Sequence, residues 1–136
     1  MSEDLISLAK VNFVMEECRR LRQDIRRRNY LAINERVNHA ISGLNLLRRD
    51  YVGDHGEGDI TLFRNEYQQF MDPIIQDNTL AGYHKVVRYL NKINEDFMKM
   101  KNQLKQRPHN VPMVDRLSIG IILLLGDLNT RWYSNV

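Results

Sequence analysis

Apolar residues recur along this chain at alternating steps of three and four, the spacing that gathers them on one face of an α-helix. A first stripe runs through Leu8, Val11, Val14, Cys18, Leu21 and Ile25, with Ser2 as a good cap and Glu3 and Asp4 in the first turn. Asn29 can cap a second helix that carries Tyr30, Ile33, Val37, Ala40, Leu44, Leu47 and Tyr51 inward. Gly53, Gly56 and Gly58 then interrupt the pattern, which places the main loop there. A third stripe, Ile60, Phe63, Tyr67 and Phe70, opens at Asp59 or Thr61, and Pro73 kinks it or begins a short continuation to Asp77. Thr79 opens a fourth helix with Tyr83, Val86, Leu90, Ile93, Phe97, Met100 and Leu104 on its apolar face; the segment with Pro108 and Pro112 ends it. The last helix carries Val114, Leu117, Ile121, Leu124, Leu128 and Trp132, while Ile122, Leu123 and Leu125 make its middle apolar all round. Such a helix is buried on several sides.

The pattern predicts helices over about 3–28, 30–51, 60–76, 80–106 and 112–133, and no strand-type alternation of useful length. The expected fold is all-α: a single-domain bundle of about five amphipathic helices, for which 136 residues suffice without metals or disulfides. The all-apolar last helix either sits centrally or leaves surface for a second copy, so a homo-oligomer is a secondary expectation. Its longest apolar run, 119–125, is seven residues, against about 20 for a bilayer span, so no membrane is expected as a partner. Glu3 and Asp4 stand where a secretory signal would carry positive charge, and the lone Cys18 precludes an internal disulfide framework. A reducing, cytoplasmic setting is expected.

Charge changes this picture more than composition does. Net charge is only +3, yet at 19–49 nine arginines face two carboxylates, Asp24 and Glu35, a local charge of +7. At 85–107 seven cations face Glu95 and Asp96, a local charge of +5. Fields of this kind suit an acidic partner, most often nucleic acid. The densest stretch is RRLRQDIRRRNY at 19–30. Leu21 and Ile25 belong to its apolar stripe, Arg19, Arg22 and Arg26 share one face, and Arg20, Arg27 and Arg28 extend around the helix. The planar fork of arginine matches phosphate oxygens. The competing reading is a solvated surface paired with Glu16, Glu17 and Asp24. On the fourth helix Lys85, Arg88, Lys92 and Lys99 form a second basic stripe, for which a solvated face is the favoured reading, and Arg48 and Arg49 close the second helix, where cations also complement the helix dipole. Tyr30, Tyr51, Tyr83 and Trp132 lie on apolar stripes and read as core; Tyr89 and Tyr133 lie off them and are the better candidates for stacking on bases.

Catalytic and metal chemistry find no foothold. His39, His55, His84 and His109 show no helical pairing, and Cys18 on the core stripe reads as a small hydrophobe. Asp54, Glu57 and Asp59 lack the ligand order of a calcium loop, and no lysine and hydroxyl follow the glycines as a phosphate-binding loop requires. The adjacent pairs Glu16-Glu17 and Glu95-Asp96 sit on outer faces, where nothing raises a carboxylate for acid–base work. The expectation is no enzyme, no metal, no cofactor and no small-molecule substrate.

Two resemblances bear on the basic helix. Arg26, Arg28, Asn29 and Tyr30, with Ala32 and Asn38-His39 downstream, resemble the central helical segment of begomovirus pre-coat proteins. In helix order, and in the phrases DLISLAK at 4–10 and TLAGY at 79–83, the chain is similar to the small helical RNA silencing suppressors of closteroviruses. The latter resemblance implies an all-α viral protein of the host cell that oligomerises and sequesters double-stranded or small RNA without reading its sequence. The residues ask for the same thing, because arginine and lysine reach phosphates and 2′-hydroxyls whatever the bases. The expected contact set is Arg19, Arg20, Arg22, Arg26, Arg27 and Arg28, with Arg48, Arg49, Lys85, Arg88 and Lys92 secondary. The alternative is a structural or adaptor bundle that self-assembles or docks an acidic helix, using leftover apolar positions such as Leu46, Ile119 and Leu123.

Overall fold

In the computed structural model the backbone is described for residues 2–52 and 60–134, and side chains for 7–51 and 64–134. Five α-helices follow in order: α1 (Ser2–Arg26), α2 (Tyr30–Leu47), α3 (Ile60–Gln76), α4 (Gly82–Lys105) and α5 (Val111–Leu128). Both α2 and α5 widen at their ends into a π-type turn, Arg48–Val52 and Asn129–Tyr133. No strand occurs among the described residues, so the chain is an all-α helical bundle. The glycine loop and the candidate cap Asp59 lie outside the described residues, as do the side chains of Ile60, Thr61 and Phe63.

α1 and α2 form an antiparallel hairpin, and α4 and α5 a second. The ring closes because α1 packs on α4 and α2 on α5, while α3 braces α5 and α4 from outside. α5 is therefore covered on three sides, by α2, α3 and α4, which is what its all-round apolar middle requires. Ile119, read as a leftover position for a partner, is buried here; Leu123 is half-buried and Leu46 exposed. The core comprises Val11, Val14, Leu21 and Ile25 of α1, Ile33, Val37, Ala40, Leu44 and Leu47 of α2, and Ile121, Leu124, Leu125 and Leu128 of α5, with the apolar face of α4 between them. Among the described residues no helix is long and apolar enough to cross a membrane.

Caps account for several boundaries. Asn29 accepts from the amide of Ala32 to start α2, and Asn110 accepts from that of Met113, with Pro112 in the first turn, to start α5. Thr79 does not open α4: its amide and hydroxyl both donate to Asp77, tightening the preceding turn, and α4 starts at Gly82 behind Ala81. Pro73 lies within α3, which continues past it to Gln76.

Buried polar groups join the layers. Arg36 on α2 reaches both Glu17 and Asp24 on α1, at 3.2 and 3.1 Å, and Arg48 meets Asp115 on α5 at 2.6 Å. Tyr67 on α3 crosses Gly120 of α5 to donate to Asp96 on α4 at 2.9 Å, and Lys92 lies 3.3 Å from the same carboxylate.

Candidate nucleic-acid interface

α1 ends with Arg28 in the left-handed region, φ 56°. The amide of Asn29 returns to the carbonyl of Asp24 and that of Arg28 to Ile25, each at 3.1 Å, the paired bonds of a Schellman cap. Glycine normally takes this position, because a Cβ crowds the backbone there. The chain then turns at once into α2. The helix thus ends two residues before its expected boundary, and Arg27 and Arg28 stand on the reversal.

Arg19, Arg22 and Arg26 form the α1 edge of a groove shared with α4. Its upper part is bounded by Cys18, Arg19 and Arg22 on one side and Leu90, Asn94 and Phe97 on the other. Arg22 donates to Asn91 across it at 3.0 Å. Burial pushes the Cys18 thiol up to about 12, with Glu17 adding to the effect, so it stays protonated.

The carboxylates expected to neutralise this run are largely taken elsewhere. Glu17 and Asp24 turn inward to Arg36, a residue whose role was not apparent from sequence because its partners lie one helix away. Only Glu16 stays with the arginines, 2.9 Å from Arg19 and 3.7 Å from Arg20. Arg26, Arg27 and Arg28 are exposed and form no ion pair among the described residues.

The secondary cations do not join them. Lys85 donates to the carbonyl of Ile75 at the end of α3, and Lys92 lies over the Phe70 ring and beside Asp96. Both face α3, so neither lines the α1 groove. Arg88 is exposed beside Asp77, whose carboxyl is held below its usual range first by its hydrogen bonds from Thr79 and then by Arg88 and Lys85. Arg48 is held by Asp115, and Arg49, exposed beside Asp50, is at the far end of α2, about 28 Å from Tyr30 at 1.5 Å per residue.

Aromatic placement also departs from expectation. Tyr89, expected to be free for stacking, is fully buried; its hydroxyl donates to Asp127 at 2.6 Å, and burial pushes that phenol well above its usual range. Tyr83, expected in the core, is 45 % exposed, and Tyr30 is 36 % exposed. Trp132 stands edge-on to Tyr89 at 5.1 Å, and Tyr133 lies 6.1 Å from Tyr30. Tyr30, Tyr83, Trp132 and Tyr133, with Ile25, Arg26, Arg28, Gly82 and Val86, line an open cleft of about 400 Å³ at the lower end of the α1–α4 groove. Among the described residues no three His, Cys, Asp or Glu side chains cluster as a metal ion would need.

No protein-family model, curated protein or solved structure matches this chain.

Proposed function

We propose that this chain is a sequence-independent RNA-binding protein that holds double-stranded or small RNA along the arginine edge of α1, in the manner of a viral suppressor of RNA silencing. The observation that supports this reading most directly is the diversion of Glu17 and Asp24 to Arg36. Among the described residues it leaves six arginines, at 19, 20, 22, 26, 27 and 28, with Glu16 as their one carboxylate partner. An excess of cations over carboxylates at the end of one helix favours a polyanion, and the three arginines that share an edge, Arg19, Arg22 and Arg26, suit a backbone rather than a base pattern. The resemblance to closterovirus suppressors asks for the same chemistry.

A gel-shift titration with a short RNA duplex across salt concentrations tests the reading. The expected result is micromolar or tighter binding with a log–log salt slope of about −3 or steeper. Replacing Arg19, Arg22 and Arg26 together by alanine flattens that slope and abolishes the shift at physiological salt. Absence of any shift with duplex or single-stranded RNA at low salt overturns it.

A second reading, an assembly or adaptor module, draws support from a different face. Ala9, Phe13 and Val14 of α1 and Gly43 and Leu46 of α2 line an apolar groove, with Phe13 60 % exposed. Under that reading Phe13→Asp abolishes self-association in sedimentation and leaves RNA binding intact, whereas the arginine variants do the reverse.

A further inference from the structure

The groove along α1 ends in the aromatic cleft, and the two carry different chemistry. Its upper part offers Arg19 and Arg22 over a wall of Leu90, Asn94 and Phe97. The lower end offers Arg26 and Arg28 together with the rings of Tyr30, Tyr83, Trp132 and Tyr133. Guanidinium groups take phosphate oxygens by paired hydrogen bonds, and aromatic faces take an unstacked base of any identity. One nucleotide presents both. A volume of about 400 Å³ lies in the range of small-ligand sites. Resting on the RNA-binding reading, we infer that this cleft receives the 5′-terminal nucleotide of an RNA strand, its 5′-phosphate on Arg26 and Arg28 and its base among Tyr30, Tyr83 and Trp132.

Three features fit a strand end in particular. Tyr30 and the Asn129–Tyr133 turn line the cleft beside the chain reversal, so the arginine edge of α1 runs out where the cleft begins. That turn is fixed: the Asn34 amide donates to the carbonyls of both Tyr30 and Tyr133, at 2.9 and 3.3 Å, and Trp132 is braced edge-on by Tyr89. α4 begins in the cleft wall at Gly82, and Ala81 before it supplies no side-chain acceptor for the first-turn amides, so the positive end of the helix adds to the field of the two arginines. The seven residue steps from Arg19 to Arg26 span about 10 Å of helix, about three base steps at 3.4 Å per strand, so edge and cleft can engage one strand together. Arg28 adds an argument of its own, because a non-glycine residue in the left-handed region puts a guanidinium where the fold alone favours glycine.

Trp132 is the only tryptophan, so its fluorescence reports on the cleft of the intact protein. The protein is titrated with adenosine 5′-monophosphate, adenosine and inorganic phosphate, and gel shifts compare a duplex bearing 5′-phosphates with the same duplex bearing 5′-hydroxyls. The expected result is Trp132 quenching by the monophosphate with a Kd at least tenfold below those of adenosine and phosphate, and at least fivefold tighter binding of the phosphorylated duplex. Arg28→Ala removes both preferences. So does Gly82→Glu, which sets a carboxylate against the Trp132 ring inside the cleft while suiting a helix first turn, so that an unchanged thermal melt separates impaired binding from impaired folding. Arg19→Ala with Arg22→Ala weakens both duplexes alike and leaves monophosphate binding unchanged. Equal binding of the two duplexes, or a monophosphate that binds no tighter than phosphate, overturns the cleft assignment while a surviving gel shift keeps the RNA reading. Monophosphate quenching with no gel shift of any RNA overturns the RNA reading instead, and with it the strand end as occupant.

Discussion

At Gly120 the residue type decides whether two helices can approach. A Cβ built there falls 1.9 Å from the Tyr67 ring, which crosses α5 at this point to reach Asp96. Gly120→Ala therefore displaces the ring and leaves a buried carboxylate without its hydroxyl donor, and a loss of about 3 kcal/mol in urea unfolding is expected. Tyr67→Phe separates the terms: it keeps the ring and removes only the hydrogen bond, for about 1.5 to 2 kcal/mol. Asp96 carries a pH signature. Burial raises its pKa, and the hydrogen bond from Tyr67 and the charge of Lys92 oppose the shift without cancelling it. The folded chain thus favours the protonated acid, a contribution complete below the ordinary aspartate value of about 4 and lost as pH rises through the raised value. The stability of the parent protein relative to Asp96→Asn is expected to fall between pH 4 and 7 in paired urea melts. A difference that grows over the same interval means that the Lys92 pair outweighs the burial.

Among the elements, the junction between α1 and α2 sets a structural preference against the proposed ligand. The Schellman cap formed by Asp24, Ile25, Arg28 and Asn29 needs a left-handed residue at position 28, and a side chain there costs about 1 kcal/mol relative to glycine. Arg28→Gly is expected to raise the unfolding free energy by about that amount and to weaken RNA binding in the same preparation; a variant that is neither more stable nor weaker in binding removes Arg28 from the argument. The helices themselves were legible because three-and-four spacing is local, and Asn29 stands next to the stripe it starts; the Asn110 cap of α5 was not read from the sequence. What resisted reading depends on neighbours. α4 is pressed by α1 on one flank and by α3 and α5 on the other, so its buried face is wide enough to take in Tyr89 and Asp96, and Tyr83 at its first turn is left outside. Lys85, Lys92 and Arg48 read as free cations because Ile75, Phe70 and Asp115 lie on other helices. Of the candidate site, the arginine face of α1 was legible and the aromatic cleft was not, since Tyr30, Gly82 and Trp132 meet only through the fold.

For the molecule as a whole, the same residue type serves two purposes, and position in the bundle separates them. Arg36 and Arg48 are three-quarters buried or more and hold carboxylates that are deeper still, Glu17 at 8 % and Asp115 at 7 % exposure. Removing either arginine strands a buried charge, for which a loss of about 3 kcal/mol is expected. Arg19 is 71 % exposed and paired only within its own helix, so its removal touches the field rather than the core. The three-arginine variant at 19, 22 and 26 should melt within about 3 °C of the parent while its salt slope on an RNA duplex flattens by about 0.9 for each phosphate that is no longer neutralised. Arg48→Ala should do the opposite, with a clearly lower Tm and an unchanged slope at temperatures where it is folded. Thermal melts and salt titrations on these two variants give a two-by-two outcome. If both lose stability and both keep the slope, the arginine edge of α1 is part of the scaffold and the phosphate contacts lie elsewhere on the bundle. If the crossed pattern appears, stability and RNA affinity reside in different arginines of one bundle, because the acidic residues beside the contact edge are held by Arg36.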